Sequence, residues 1–198
     1  FLDELPEFSR SVLESLREPL ESGSICISRA AQQATFPAKF QLIAAMNPCP
    51  CGYLGDKLRE CYCSPSDIER YGRRLSGPLL DRIDIVLEVG RVSAYEVLSG
   101  EPLLNETSQQ IQKKVQQSRD RQYQRQGKLN ASLTSAETKA ICTLGGSEKK
   151  MVLTMMETLK LSARSYHRIL KVAQSVCDLE GKDKLDAVAL SQAVSWRM

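Results

Sequence analysis

Residues Phe1–Phe8 read FLDELPEF, and the order of residue types in that stretch decides how the rest of the chain is read. Phe1 and Leu2 are the end of a buried apolar strand. Asp3 and Glu4 set two carboxylates directly after it, where an open α/β sheet gathers its ligand-binding groups. A strand-end aspartate holds Mg²⁺ in many phosphate-transferring enzymes, and an adjacent acid helps activate water. The glycine-rich phosphate cradle that accompanies such a corner, G-x-x-x-x-G-K-[ST], occurs nowhere in the 198 residues. Taken alone, an Asp-Glu pair is equally at home in a solvated turn.

Outward from this corner the chain alternates strand and helix signals. EFSRSVLESLREPLES carries Val12, Leu13, Leu16 and Leu20 at helical spacing and stops at Gly23. GSICISR alternates Ile25 and Ile27 with Ser24, Cys26 and Ser28, as a half-exposed strand does. FQLIAAM, Phe40 to Met46, is apolar almost throughout and short, which predicts a strand covered on both faces. SPSDIERYGRRLSG predicts a helix ended by Gly77-Pro78, and IDIVLEV, Ile83 to Val89, predicts another strand. Beyond Val92 the strand signals fade. Helices are predicted over Glu106–Gln126, Thr134–Leu144, Glu148–Leu159, Ser162–Leu179 and Asp186–Trp196. The expected organisation is an α/β unit over 1–92 followed by an all-α bundle over 93–198.

Composition sets outer limits. Hydrophobic residues at 42% and charged residues at 26% are ordinary for a soluble globular protein, and no run of 18 apolar residues exists. The net charge of +3 is uneven. Phe1–Glu21 holds six acids against two bases, whereas Ile111–Lys128 holds six bases against one acid. An acidic corner suits a metal or a basic neighbour, and a basic helix suits phosphates, although a solvated helix face has the same composition.

Three further residues stand where chemistry would need them. Asn47 follows the Phe40–Met46 strand at once, where its amide holds a water or a phosphate oxygen, or caps the turn before Pro48. Arg82, in SGPLLDRIDI, sits between a helix and a strand, able to neutralise phosphate charge or to pair with Asp81 or Asp84. Arg164, in LSARSYHRILKVA, falls in the first turn of a helix capped by Ser162, an unfavourable place for a cation. His167, the sole histidine, reads as a packing or surface residue.

The four segments FLDELPEF, FQLIAAMNPCPCG, SGPLLDRIDI and LSARSYHRILKVA, in that order, resemble the AAA+ ATPases of the magnesium-chelatase-like family, ComM/YifB type. The resemblance covers the whole chain. It implies a P-loop NTPase core followed by a helical lid, with Asp3 and Glu4 as the Walker B pair that binds Mg²⁺ and ATP. It also implies that Asn47 is sensor 1, Arg82 an arginine finger and Arg164 sensor 2. EPLESGSICISRAAQQATFPAKF is similar to the family's helix-2 insert, a β-hairpin. By this resemblance the intact protein is a cytoplasmic, hexameric ring working on DNA, in remodelling or branch migration during transformation. The alternatives are a motor for metal insertion into a tetrapyrrole and a zinc-containing module that binds nucleic acid. Because the family's Walker A loop and N-terminal domain have no counterpart here, this chain is expected to be inactive as an ATPase by itself, and an exposed sheet edge is expected to cause self-association or a rearranged core.

Seven cysteines are present, and Cys49, Cys51, Cys61 and Cys63 fall within fifteen residues. An odd total fits poorly with a disulfide framework, and four thiolates on one loop predict a structural zinc site, with free thiols and disulfides as alternatives. The helix IQKKVQQSRDRQYQRQGK has few apolar positions and reads either as a salt-bridged strut or as an arm that meets DNA phosphates through Lys113, Lys114, Arg119, Arg121 and Arg125.

Overall fold

The computed structural model describes residues 1–29, 32–92, 98 and 106–197. They fall into two compact units, Phe1–Ile83 and Asp84–Met198.

In the first unit a 3-10 turn, Leu5–Glu7, leads into α1 (Arg10–Ser15) and α2 (Arg17–Ser22). One helix was expected here, but Pro19 has no N–H to offer the carbonyl of Ser15, and the chain breaks into two short helices at Leu16. Ser9 caps α1 by accepting from the Val12 N–H, and Gly23, at φ 67°, ends α2 in the left-handed region. The hairpin follows: β1 (Ser24–Arg29) pairs antiparallel with β2 (Gln32–Pro37), in register from Ser24↔Pro37 to Arg29↔Gln32. Residues 30 and 31, within the expected insert, lie outside the described residues. After the cysteine loop come α3 (Pro65–Gly72) and α4 (Gly77–Leu80), each started by a serine cap and a proline in the first turn. Leu5, Leu13, Leu75 and Leu79 form the core of this unit, with Leu2, Leu16 and Leu20 against it.

Three expected strands differ from the reading of the sequence, and the first is Phe1–Leu2, expected to end a buried strand, where Phe1 is 80% exposed and Leu2 forms only an isolated bridge. Phe40–Met46 forms only a single parallel bridge, Leu2↔Ala44, held by Leu2 N–H to Ile43 O and Ala45 N–H to Leu2 O, both 2.9 Å. Phe40 is 48% and Ile43 54% exposed, so the expected burial on both faces is not met. Ile83–Val89 is not a strand, and Val89 is 92% exposed. An apolar run has the composition of a buried strand, but the ladder and both covering layers must come from other segments. Among the described residues none pairs with Ile83–Val89 as a strand.

The second unit is built of α5 (Ser108–Gln126), a 3-10 turn Asn130–Ser132, α6 (Ser135–Ile141), α7 (Gly146–Thr158), α8 (Ala163–Glu180) and α9 (Ala187–Ser195). Capping boxes at Thr107/Gln110 and Thr134/Glu137 open α5 and α6, and Ser162 and Asp186 cap α8 and α9. Leu170, Ala173 and Cys177 on α8 and Ala189 and Leu190 on α9 are fully buried at the centre of this core. The unit starts at Asp84, earlier than the division expected after Val92, because Asp84 pairs with Arg168 at 2.7 Å and the Val86 N–H bonds Trp196 O at 2.5 Å. The expected boundary itself adjoins residues 93–97, outside the described set. No described helix is long and apolar enough to cross a membrane.

Candidate functional site

The bridge Leu2↔Ala44 is parallel, so both segments run toward the same end. Asp3-Glu4 leaves one of them and Asn47 leaves the other, and Leu5 N–H still bonds Ala45 O at 3.0 Å as the chains diverge. Glu4 and Asn47 consequently line a single cleft of about 680 Å³, together with Glu7, Cys51, Cys63, Tyr71 and Arg74. Glu4 adopts φ 51° and ψ 46°, a conformation rare outside glycine, and its N–H donates to Asp3 Oδ1 at 2.9 Å. The second carboxylate oxygen of Asp3 has no part in that bond. Carboxylates and an amide oxygen are hard donors, the type that suits Mg²⁺.

Sequence reasoning missed the floor of this cleft. Tyr71 on α3 is buried and lines the cleft with Asn47, and burial, with Glu7 nearby, pushes its phenol above the usual value. Arg74, in the turn that follows α3, donates to Pro6 O at 3.2 Å and to Glu7 Oε1 at 2.7 Å, tying the end of α3 to the turn after the acidic pair. The sequence places Tyr71 on a helix, but what that helix faces is not visible in it.

Beside the cleft the four loop cysteines converge. Their sulfurs all lie within 4.8 Å of one another, with Cys49–Cys51 at 3.4 Å, Cys51–Cys61 at 3.6 Å and Cys49–Cys61 at 3.7 Å. A tetrahedral zinc with Zn–S bonds of about 2.3 Å spaces its sulfurs about 3.8 Å apart, so the cluster matches a single ion. The Leu54 N–H donates to Cys49 Sγ at 3.4 Å, an outer contact that orients the ligand. Burial resists ionisation of Cys51, but hydrogen bonds from the Tyr53 backbone and from the Cys49 and Cys63 side chains bring it down to about 6. Burial and the neighbouring Cys51 push Cys63 up to about 12. A cation bound here would displace the thiol protons, since sulfur ligates as thiolate. The site can hold zinc, and four sulfurs leave no open position for catalysis.

Arg82 belongs to the same unit and is 11% exposed. Its Nε donates to Arg17 O at 3.0 Å, Nη1 to Pro78 O at 2.6 Å, and Nη2 pairs with Glu21 at 2.9 Å. The ion pair is thus with Glu21, remote in sequence. Arg164 lies in the other unit, exposed, in the first turn of α8 behind the Ser162 cap. On the basic helix α5, Arg125 is committed to Asp178, Arg121 donates to Gly181 O at 3.2 Å, and Lys114 pairs with Glu106. His167 is half-buried, its pKa lowered by burial and by Lys139 and Lys171.

The chain matches two consecutive family descriptions, magnesium chelatase, subunit ChlI, over residues 1–97 and the ChlI C-terminal region over 105–197. It is 46% identical over its whole length to the competence protein ComM of Haemophilus influenzae. It is 44% and 43% identical to the YifB proteins of Salmonella typhimurium and Escherichia coli, again over its whole length. The chain spans 38% of the length of each of these three relatives. It belongs to the magnesium-chelatase-like family, and within that family to the ComM/YifB type.

Proposed function

We propose that this chain contributes the acidic and sensor side of an ATP site in a ring-forming AAA+ ATPase that remodels DNA during competence. The observation that carries this reading is the parallel bridge Leu2↔Ala44, which brings Glu4 and Asn47 to one cleft. Asp3 binds the nucleotide's metal ion, whose charge offsets that of the phosphates. Glu4 polarises the attacking water and Asn47 orients it. Arg82 from a neighbouring subunit neutralises the transferring phosphoryl group, for which its guanidinium must first leave Glu21. Arg164, on the helical unit acting as the lid, couples nucleotide state to movement of that unit. The ring is hexameric and cytoplasmic, and the four cysteines carry a structural zinc. DNA contact draws on the remaining cations of α5, and the setting in competence on the name of the Haemophilus relative. Metal insertion into a tetrapyrrole, the reading nearest the family's description, is the competitor.

The test is a hybrid in which this chain replaces its matched stretch in the Haemophilus ComM protein. The hybrid is expected to hydrolyse ATP and to be stimulated by branched DNA, whereas the 198-residue chain alone turns over none. In the hybrid, Glu4→Gln is expected to lower turnover by about 100-fold or more while nucleotide still binds. Full turnover in the Glu4→Gln hybrid defeats the assignment of the cleft, and stimulation by a porphyrin-chelatase partner in place of DNA favours the competitor.

A further inference from the structure

We propose that the metal at Cys49, Cys51, Cys61 and Cys63 is the device that positions Asn47, so that filling the four-sulfur site controls turnover in the cleft; its effect on turnover rests on the function proposed above. The last backbone bonds of the strand pairing involve Ala45, and Asn47 lies beyond them. Gly52 stands beside it: a Cβ at Gly52 would sit 3.8 Å from Asn47 Cγ and 3.9 Å from Oδ1, in van der Waals contact with the amide.

Gly52 is there because the loop turns around the first sulfur pair. Its φ of 80° is left-handed, its N–H bonds Cys49 O at 3.0 Å, and Cys49 and Cys51 both precede it on the chain. The second pair, Cys61 and Cys63, arrives from the far end of the loop. The sulfurs of Cys49, Cys51 and Cys61 lie 3.4 to 3.7 Å apart with that of Cys63 within 4.8 Å, so one divalent cation among them would tie the two ends of the loop together through four bonds. A filled site therefore closes the turn beside Asn47. An empty one releases Gly52 and, with it, the backbone that stands beside the Asn47 amide. Cys51 and Cys63 also line the cleft itself, so the metal cage and the water-orienting amide share a wall. Because Asn47 orients water and does not grip the phosphates, the coupling acts on kcat and not on nucleotide affinity.

The experiment begins with this chain, stripped of metal and titrated with Zn²⁺, and in parallel with Co²⁺, whose sulfur charge-transfer bands report filling. The side-chain amide resonances of Asn47, assigned with Asn47→Ala, are followed by NMR. They are expected to move to a new position at one equivalent of metal and to return on chelation, with helical circular dichroism unchanged. In the ATP-hydrolysing hybrid, chelation is expected to lower kcat by about tenfold or more with KM unchanged, and zinc to restore it. Cobalt bands without movement of the Asn47 amide overturn the proposal, as does a metal-free hybrid with full kcat. A zinc-loaded hybrid that never hydrolyses ATP defeats the proposed function instead, and the Asn47 resonances still decide the coupling.

Discussion

Arg125 holds Asp178 with both terminal nitrogens, Nη1 to Oδ1 at 2.5 Å and Nη2 to Oδ2 at 2.9 Å, and so ties α5 to α8. The Asp178 side chain is 1% exposed, and Asn130 Nδ2 donates to the same Oδ2 at 2.8 Å. Removing one member of such a pair strands the other, so Asp178→Ala is expected to destabilise the helical unit by about 3–5 kcal/mol. Replacing both with apolar residues, Arg125→Met with Asp178→Leu, is expected to cost less than the single change. Trp196, the sole tryptophan, lies in this unit, and its fluorescence in a urea titration reads both.

Glu137 supplies an acid-dependent part of stability. The Lys128 ammonium and the Thr134 N–H and hydroxyl hold its carboxyl at about 2, below the usual value of 4.5. A depressed carboxylate stabilises fully above its unfolded value and stops doing so as pH falls through the folded one. The urea midpoint of the protein should therefore exceed that of Glu137→Gln at neutral pH, and the gap should close between pH 4.5 and about 2. A gap that stays constant through that range rules out the capping carboxylate as its source.

Four of the seven thiols should be shielded in the metal-loaded chain, those of the loop, with one zinc per chain by elemental analysis. Cys142 and Cys177 are buried and their thiols are pushed up by burial, so they should react slowly for a different reason. Chelation separates the two kinds, because only the loop thiols should become reactive. Lowering the pH should release the metal, since its ligands bind as thiolates.

Arg82→Lys is expected to loosen the root of the hairpin. A single ammonium cannot reproduce three directed donors to Arg17 O, Pro78 O and Glu21. The expected loss is about 1–3 kcal/mol, visible as faster amide exchange in β1 and β2. Unchanged exchange there would separate Arg82 from the hairpin.

What the sequence disclosed depended on how local each feature is. The caps at Ser162 and Asp186 and the cysteine cluster need only neighbours along the chain, and they are where the residues put them. The break at Leu16 was equally local, written in Pro19, and was overlooked. The Glu21 partner of Arg82 was not legible, because Glu21 is remote in sequence while Asp81 and Asp84 are adjacent. Nor were Tyr71 and Arg74 legible as cleft residues, since a helix and the turn after it do not name what they face. The runs Phe40–Met46 and Ile83–Val89 carry the composition of buried strands, but hydrogen-bonded partners and covering layers are supplied from elsewhere and no local pattern encodes them.

The hydrogen bond from Val86 to Trp196 closes the helical unit on itself, joining its entry strand of chain to its last helix. Mechanically, a pull applied at Ile83 enters and leaves this unit at almost one point. The load falls early on that bond and on the Arg168–Asp84 pair beside it. Among the described residues those two contacts act as a latch, with α5 to α9 behind them.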